Sequence, residues 1–321
     1  MPAEVESMMY VGEVPWHGLG TYVGDNPVTS EEAIISAGLD WEVELQELRT
    51  AEDEILVPSH KAVVRTSDAS VLGVVGNRYK PFQNKEIFTF LDDLVKDGSL
   101  RYHTAGSLRN GRKVWMLGKV GNAEIVPQDA IDKYLFCWTS HDGSGSTHVA
   151  FVSIRVVCMN TARVALTEAS DAGIKIRHTG ELQKKVESAR EVLGFALDEF
   201  MSYENALKTL AEFKMSDSLA EQYVNLLFPD SPEEDKETSA HTIQMRDYIL
   251  DLMTNGIGQK IPGVENTAYG AYNAVTEFIT HHRMVRGSNP MERRFEASLL
   301  GAGNDLVQNA FGILRNMAGA Q

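Results

Sequence analysis

Long hydrophobic runs are missing from this sequence of 321 residues: no stretch approaches the ~20 apolar residues that a membrane-spanning helix needs. The N-terminus shows no basic-then-apolar leader, so the expected location is cytoplasmic. Cysteine is scarce, with Cys137 and Cys158 alone, which excludes a disulfide framework. Catalytic signatures are missing too. There is no Gly-x-Ser-x-Gly elbow and no strand–Gly-x-Gly-x-x-Gly–helix unit, and Gly143-Ser144-Gly145 lacks the Gly-Lys-Ser/Thr of a phosphate loop. Cations are in the minority, 30 Lys and Arg against 45 Asp and Glu, for a net charge of −15. That figure argues at first against a polyanionic partner, but it hides a segregation. Residues 1–59 carry −12, residues 60–178 carry +5 and residues 179–321 carry −8. A basic middle between acidic ends is compatible with a local polyanion site on a soluble protein.

What is present is 43% hydrophobic and 23% charged residues, the composition of a globular protein. The stretch 146–168 organises the reading. From His148 to Cys158, β-branched and aromatic residues dominate. Ala150, Val152, Ile154 and Val156 fall on one face, with Phe151, Ser153, Arg155 and Val157 on the other, as in a central strand. Asn160-Thr161 are good N-cap residues, so a short helix is expected there, with Arg155 and Arg163 flanking a corner where backbone N–H groups attract anions. A purely structural corner is the plainer reading of the same spacing.

Around this stretch the alternation is β-like. Trp41 to Thr66 and Val71 to Val75 read as strands, and the loop Asn77–Asn84 leads into a helix expected to run from an Asn84 cap through Val95. Two hairpins follow, one around Arg109-Asn110-Gly111-Arg112 and one around His141–Ser146. After Gly180 the texture becomes helical. Leu182, Val186, Ala189, Leu193, Ala196, Phe200, Tyr203, Leu207 and Leu210 form a heptad seam, to be used within one chain or between subunits. Helices are expected near 216–227, 238–254, 266–284, 290–300 and 304–318, with an acidic linker at Ser231–Asp235. The expected fold is α+β: a mainly antiparallel sheet with crossing helices, then a long helix and a helical C-terminal region. The domains are an acidic segment 1–40, a sheet domain 41–180 and a helical region 181–321.

Cys137, His141, His148 and Cys158 share the second hairpin, but in a regular hairpin Cys137 would oppose position 152 and Cys158 would lie six residues further along, about 20 Å at ~3.3 Å per residue, too far for one tetrahedral zinc. No metal, cofactor or catalytic residue is therefore expected. The basic residues are more suggestive. Arg101, Tyr102, Arg109, Arg112 and Lys113 gather about the first hairpin, Arg78, Tyr79 and Lys80 fill a neighbouring loop, and Lys175 and Arg177 end the segment. Cations for phosphates and rings for stacking are what single-stranded nucleic acid requires; solvated strand edges guarded by charge are the alternative.

Four ordered motifs carry a family resemblance: Pro15–Gly20 (Pro-Trp-His-Gly-Leu-Gly), Asn77–Asn84 (Asn-Arg-Tyr-Lys-Pro-Phe-Gln-Asn), Arg155–Thr161 and Thr267–Glu277. Together they resemble the phage/plasmid-like family built on domain of unknown function 932. The resemblance implies a phage or plasmid setting, hence the host cytoplasm, but no catalytic residue. The order of elements also resembles single-strand annealing proteins of the Rad-fifty-two kind, which form rings or filaments around single-stranded DNA. The expected function is thus a non-enzymatic recombination protein that binds single-stranded DNA, anneals it and assembles as a homo-oligomer. Its contacts are expected from Arg78, Tyr79, Lys80, Arg101, Tyr102, Arg109, Arg112, Lys113, Arg155, Arg163, Lys175 and Arg177. The alternative is a counter-defence or host-interaction protein acting through its acidic surface.

Overall fold

Alternating β-branched and aromatic residues build two sheets in the first half of the chain, and regularly capped apolar stripes build helices in the second. The structure, a computed structural model, describes residues 5–12, 14–15, 20–89, 91–96, 98–158, 161–163, 174–176, 189–230, 238–283 and 303–319. The strands are β1 (Val5–Tyr10), β2 (Thr21–Tyr22), β3 (Val43–Arg49), β4 (Leu56–Arg65), β5 (Val71–Gly76), β6 (Arg101–Leu108), β7 (Lys113–Val126), β8 (Asp129–Ser140), β9 (Thr147–Arg155), β10 (Thr161–Arg163) and β11 (Ile174–Ile176). The larger sheet runs β10-β9-β8-β7-β6-β1-β2 with β11 also on β9, and the smaller runs β3-β4-β5. The registered pairs are antiparallel except β1 with β2. The expected α+β class holds.

The first hairpin turns where Asn-Gly demands it. Leu108 faces Lys113, and Arg109, Asn110 and Gly111 take φ of 57°, 56° and 80°. Asn and Gly enter this left-handed region readily, and the turn carries Arg109 into it with them. The strand-to-helix corner expected at Asn160-Thr161 is not formed. Thr161–Arg163 is a strand, with Thr161 opposite Ile154 and Arg163 opposite Val152, reached through a turn at Val156–Cys158. The edge of β9 offers unpaired N–H and C=O groups, and satisfying them outweighs the local capping preference of Asn160-Thr161. Ile174–Ile176 pairs further along β9, opposite Thr147–Val149.

The helix expected from Asn84 to Val95 is split into α2 (Asn84–Thr89) and α3 (Asp92–Lys96), preceded in the chain by α1 (Ser30–Ser36). α1 starts with a capping box in which Thr29 and Glu32 bond each other's backbone N–H. In the second half, α4 (Ala189–Glu212) buries Phe200, Tyr203, Leu207 and Leu210, so these seam positions serve inside the chain. Leu182 and Val186 lie outside the described residues. α5 (Asp217–Leu227), α6 (Ala240–Asn255) and α7 (Ala268–Glu277) are capped by Ser216, Ser239 and Thr267. α7 continues as a π-helix over Phe278–His282, and α8 (Gly303–Met317) closes the chain. The acidic linker and the helix expected at 290–300 lie outside the described residues.

The chain divides into two compact units: residues 1–121, 134–151 and 167–197, and residues 122–133, 152–166 and 198–321. In the second unit Arg155 is 3% exposed and grips Asp129 with Nε and Nη2 at 2.6–2.9 Å. Its Nη1 and Nη2 also donate to the Ile257 and Gly258 carbonyls at 3.1 and 3.2 Å. Nearby, Ser153, Tyr203 and Tyr272 form a buried hydroxyl chain with links of 3.3 and 2.9 Å. Removing one partner of a buried pair strands the other charge. Asp129→Ala should therefore cost roughly 3–5 kcal/mol in urea unfolding, whereas the apolar double change Arg155→Met with Asp129→Leu should recover much of that.

Candidate nucleic-acid interface

The loop Asn77–Asn84 has two halves with different tasks. Its C-terminal half is structural. Gln83 bonds both the N–H and the C=O of Val43 at 2.9 Å, in the manner of a neighbouring strand. The Asn84 side-chain amide donates to the Leu39 and Trp41 carbonyls at 3.0 and 3.2 Å, and its oxygen meets His141 Nε2 at 2.9 Å. Asn84 is buried, so these bonds replace water it cannot reach. His141 is buried edge-on against Trp41 at 5.4 Å, and its backbone N–H donates to the Arg112 carbonyl at 2.8 Å. One side chain thus links the 77–84 loop, the second hairpin turn and, through His141, the first.

The N-terminal half faces outward. Asn77 Nδ2 donates to the Pro58 carbonyl at 2.5 Å and the Tyr79 hydroxyl to the Ser140 carbonyl at 3.1 Å, so the loop is tied at both sides. Burial, and after it the Asp142 carboxylate, raise Tyr79 well above the usual phenol range and keep it neutral. Between this loop, the start of β4, the end of β5 and the Gly143–Ser146 turn lies an open groove of about 900 Å³. Arg78 and His60 line it with the hydroxyls of Ser59, Ser144 and Ser146, and no carboxylate lines it among the described residues. The close approach of turn and strand depends on glycine: a Cβ on Gly73 would stand 2.5 Å from Asp142 Cα, and one on Gly143 2.8 Å from Val75 Cγ1.

The turn itself is braced by Asp142. Its Oδ1 accepts from the Ser140 hydroxyl and, at 2.8 Å, from the Ser144 N–H, while Ser140 and Ser144 hydroxyls meet at 3.0 Å. Burial would raise this carboxyl, but the two hydroxyls, the N–H and the charge of Lys113 hold it below the ordinary carboxylate range.

The structure sorts the expected contact residues. Arg78, Tyr79 and Lys80, together with Arg109, Arg112 and Lys113, come from separate loops that meet at Ser140–Ser146. No ion pair engages Arg78 or Arg112 among the described residues. Arg101 is exposed at the far end of β6, about 23 Å along the strand from Leu108 at ~3.3 Å per residue, and stands opposite Lys119. Tyr102 is 2% exposed and donates its hydroxyl to Phe88 O at 2.9 Å, which takes its ring out of any stacking surface. Arg155 is spent on Asp129, as described above. For Arg163 and Lys175 the backbone is placed in β10 and β11, while their side chains, and Arg177 entirely, lie outside the described residues. His148 stacks on Trp138 at 4.7 Å while His141 bonds Asn84, so the two histidines of the turn face different tasks. Burial pushes the Cys137 thiol up to about 12, which leaves it as packing.

His60, Ser59 and the Gly143–Ser146 turn were not among the expected contacts. The sequence signal for the turn was its Gly/Ser content, which fits no phosphate-loop spacing. No helix among the described residues is long and apolar enough to cross a membrane.

An α+β protein of mostly antiparallel sheets, with an open polar groove and a helical C-terminal region, is the class these observations define. The model of the family described as domain of unknown function DUF932 matches residues 71–299, and the chain belongs to that family. No curated protein and no solved structure matches the chain.

Two outcomes follow from this geometry. Asn84→Ala leaves His141 and two carbonyls short of a partner and should cost about 1–3 kcal/mol in chemical denaturation. Because the Asp142 pKa is depressed on folding, its contribution is present above the unfolded carboxyl value and is lost as pH falls through the folded one. Amide resonances of Ser144 and Gly145 should accordingly shift in that acid window, and Asp142→Asn should abolish the transition.

Proposed function

We propose that this protein binds single-stranded DNA without chemistry, laying the phosphate backbone along the groove and beside the first hairpin turn. The observation that supports this most is the meeting of three separate loops. Arg78 lines a hydroxyl-rich groove with no carboxylate in its described lining, and Lys80, Arg109, Arg112 and Lys113 belong to the loops tied to the adjoining Ser140–Ser146 turn. Charge neutralises phosphates and releases counterions, while seryl hydroxyls donate to phosphate oxygens without sequence preference. Tyr79, its hydroxyl fixed, offers a ring at the groove wall for a base. Within a phage or plasmid setting such binding serves recombination, with annealing of complementary strands as its outcome. A ring or filament of copies would extend the track.

Fluorescence anisotropy of a labelled single strand, titrated at several salt concentrations, tests the reading. Five phosphate contacts predict a log–log salt slope of roughly −3.5, at about −0.7 per contact on single strands. Arg112→Glu with Lys113→Glu should weaken binding and flatten the slope by at least ~1.4. Preference for duplex, or no binding at low salt, would exclude the proposal.

A further inference from the structure

The second unit holds a cavity that the groove does not use. It measures about 590 Å³, within the usual size of small-molecule sites, and lies among the end of α5, one face of α6, the π-helix and the start of α8. Its walls are aromatic and aliphatic: Phe228, Met245, Tyr248, Phe278 and Leu306. Tyr248 meets Phe278 and His282 edge-on, each with ring centroids 5.7 Å apart. On α6, His241, Met245 and Tyr248 are spaced i, i+4 and i+7, which sets all three on one face. Its polar lining comes from His241, Thr242, Gln244, His282 and Arg283, and no carboxylate lines it among the described residues.

The π-helix produces this convergence. Its wider turn, closed by the Arg283 N–H to the Phe278 carbonyl at 2.7 Å, brings Phe278, His282 and Arg283 to one side, where an α-helix would rotate Arg283 away. A buried carboxylate then fixes the imidazole. Glu277 is 2% exposed, accepts the Ile257 N–H at 2.8 Å on Oε2 and meets His282 Nε2 at 3.3 Å on Oε1. The approach requires Gly256, where a Cβ would stand 2.7 Å from Glu277 Oε2. A histidine held through Nε2 by a buried carboxylate presents its other nitrogen in a set direction, a costly arrangement for a solvated surface and a useful one for a ligand.

We infer that this cavity binds a small planar aromatic anion, its ring between Tyr248, Phe278 and Phe228 and its acidic group toward Arg283 and His282. Aromatic walls select the ring, and the Arg283 guanidinium, with the oriented His282 next to it in the chain, selects the charge. The inference is independent of the groove. The shared chemistry covers both a nucleoside monophosphate and a simple aromatic acid.

Isothermal titration of the full chain with AMP, naphthalene-1-sulfonate, 1-naphthol and inorganic phosphate tests it. At least one of the two aromatic anions should bind at one per chain, and 1-naphthol and phosphate each at least ~10-fold more weakly. AMP alone would identify a nucleotide site, and the sulfonate alone a site for simple acids. Tyr248→Ala, at a position 38% exposed and so tolerant of change, and Arg283→Gln should each lower affinity about 10-fold, with the melting temperature unchanged by Tyr248→Ala. Binding should survive the Arg112→Glu, Lys113→Glu double change, which separates this site from the groove. Failure of both anions to saturate at millimolar concentration, or binding indifferent to Tyr248→Ala and Arg283→Gln, would overturn the inference.

Discussion

A single buried amide sets the geometry on which the groove depends. Asn84 has two N–H donors and one oxygen, and all three functions are used, toward Leu39, Trp41 and His141. No hydrophobic contact does this, because apolar packing is indifferent to small rotations, whereas a buried amide loses its hydrogen bonds if either neighbour slides. With His141 fixed, the Arg112 carbonyl that receives its N–H is fixed as well, and so is the first hairpin turn. The cations at that turn owe their position to an uncharged side chain some thirty residues earlier in the chain.

The same logic, applied to charge, explains why two arginines of similar sequence context differ. Arg112 sits in a turn and pairs with no carboxylate among the described residues, whereas Arg155 ends a strand and is itself buried, 3% exposed, against Asp129. Taking a guanidinium out of water costs several kcal/mol, and only a bidentate carboxylate with further carbonyls to fill the remaining donors offsets it. Arg155 has these in Asp129, Ile257 and Gly258. Its burial therefore entails a structural assignment, and a phosphate would have to displace a carboxylate that already fits the fork.

Local rules were legible in the sequence wherever an element is decided locally. The Asn110-Gly111 turn and the helices expected to begin near 216, 238 and 266 appear as read. Elements decided by distant partners were not legible. Thr161–Arg163 reads as a helix start because nothing in those residues reveals that β9 has an open edge beside them. Tyr102 reads as a stacking ring because its place in the core is fixed by the fit of its ring against Phe88, 5.7 Å away. At the site, the cations were visible as a composition bias. The role of Gly73 was not, since a glycine in a strand carries no sign of which backbone will cross it.

An acidic chain whose groove carries Arg78 and no carboxylate in its described lining raises the question of which charge a polyanion would feel. The Debye length is about 10 Å at 0.1 M salt, so the net charge of −15 acts weakly beyond the nearest surface, while cations in contact with phosphate are hardly screened. Net charge thus governs approach, and groove charge governs the bound state. On the function proposed above, the acidic regions would lower non-specific attraction to any nucleic acid, and duplex, whose stiff backbone cannot follow a groove walled by turns, would lose most. A single strand would bend to the groove at little cost and gather the contacts that repay the slower encounter.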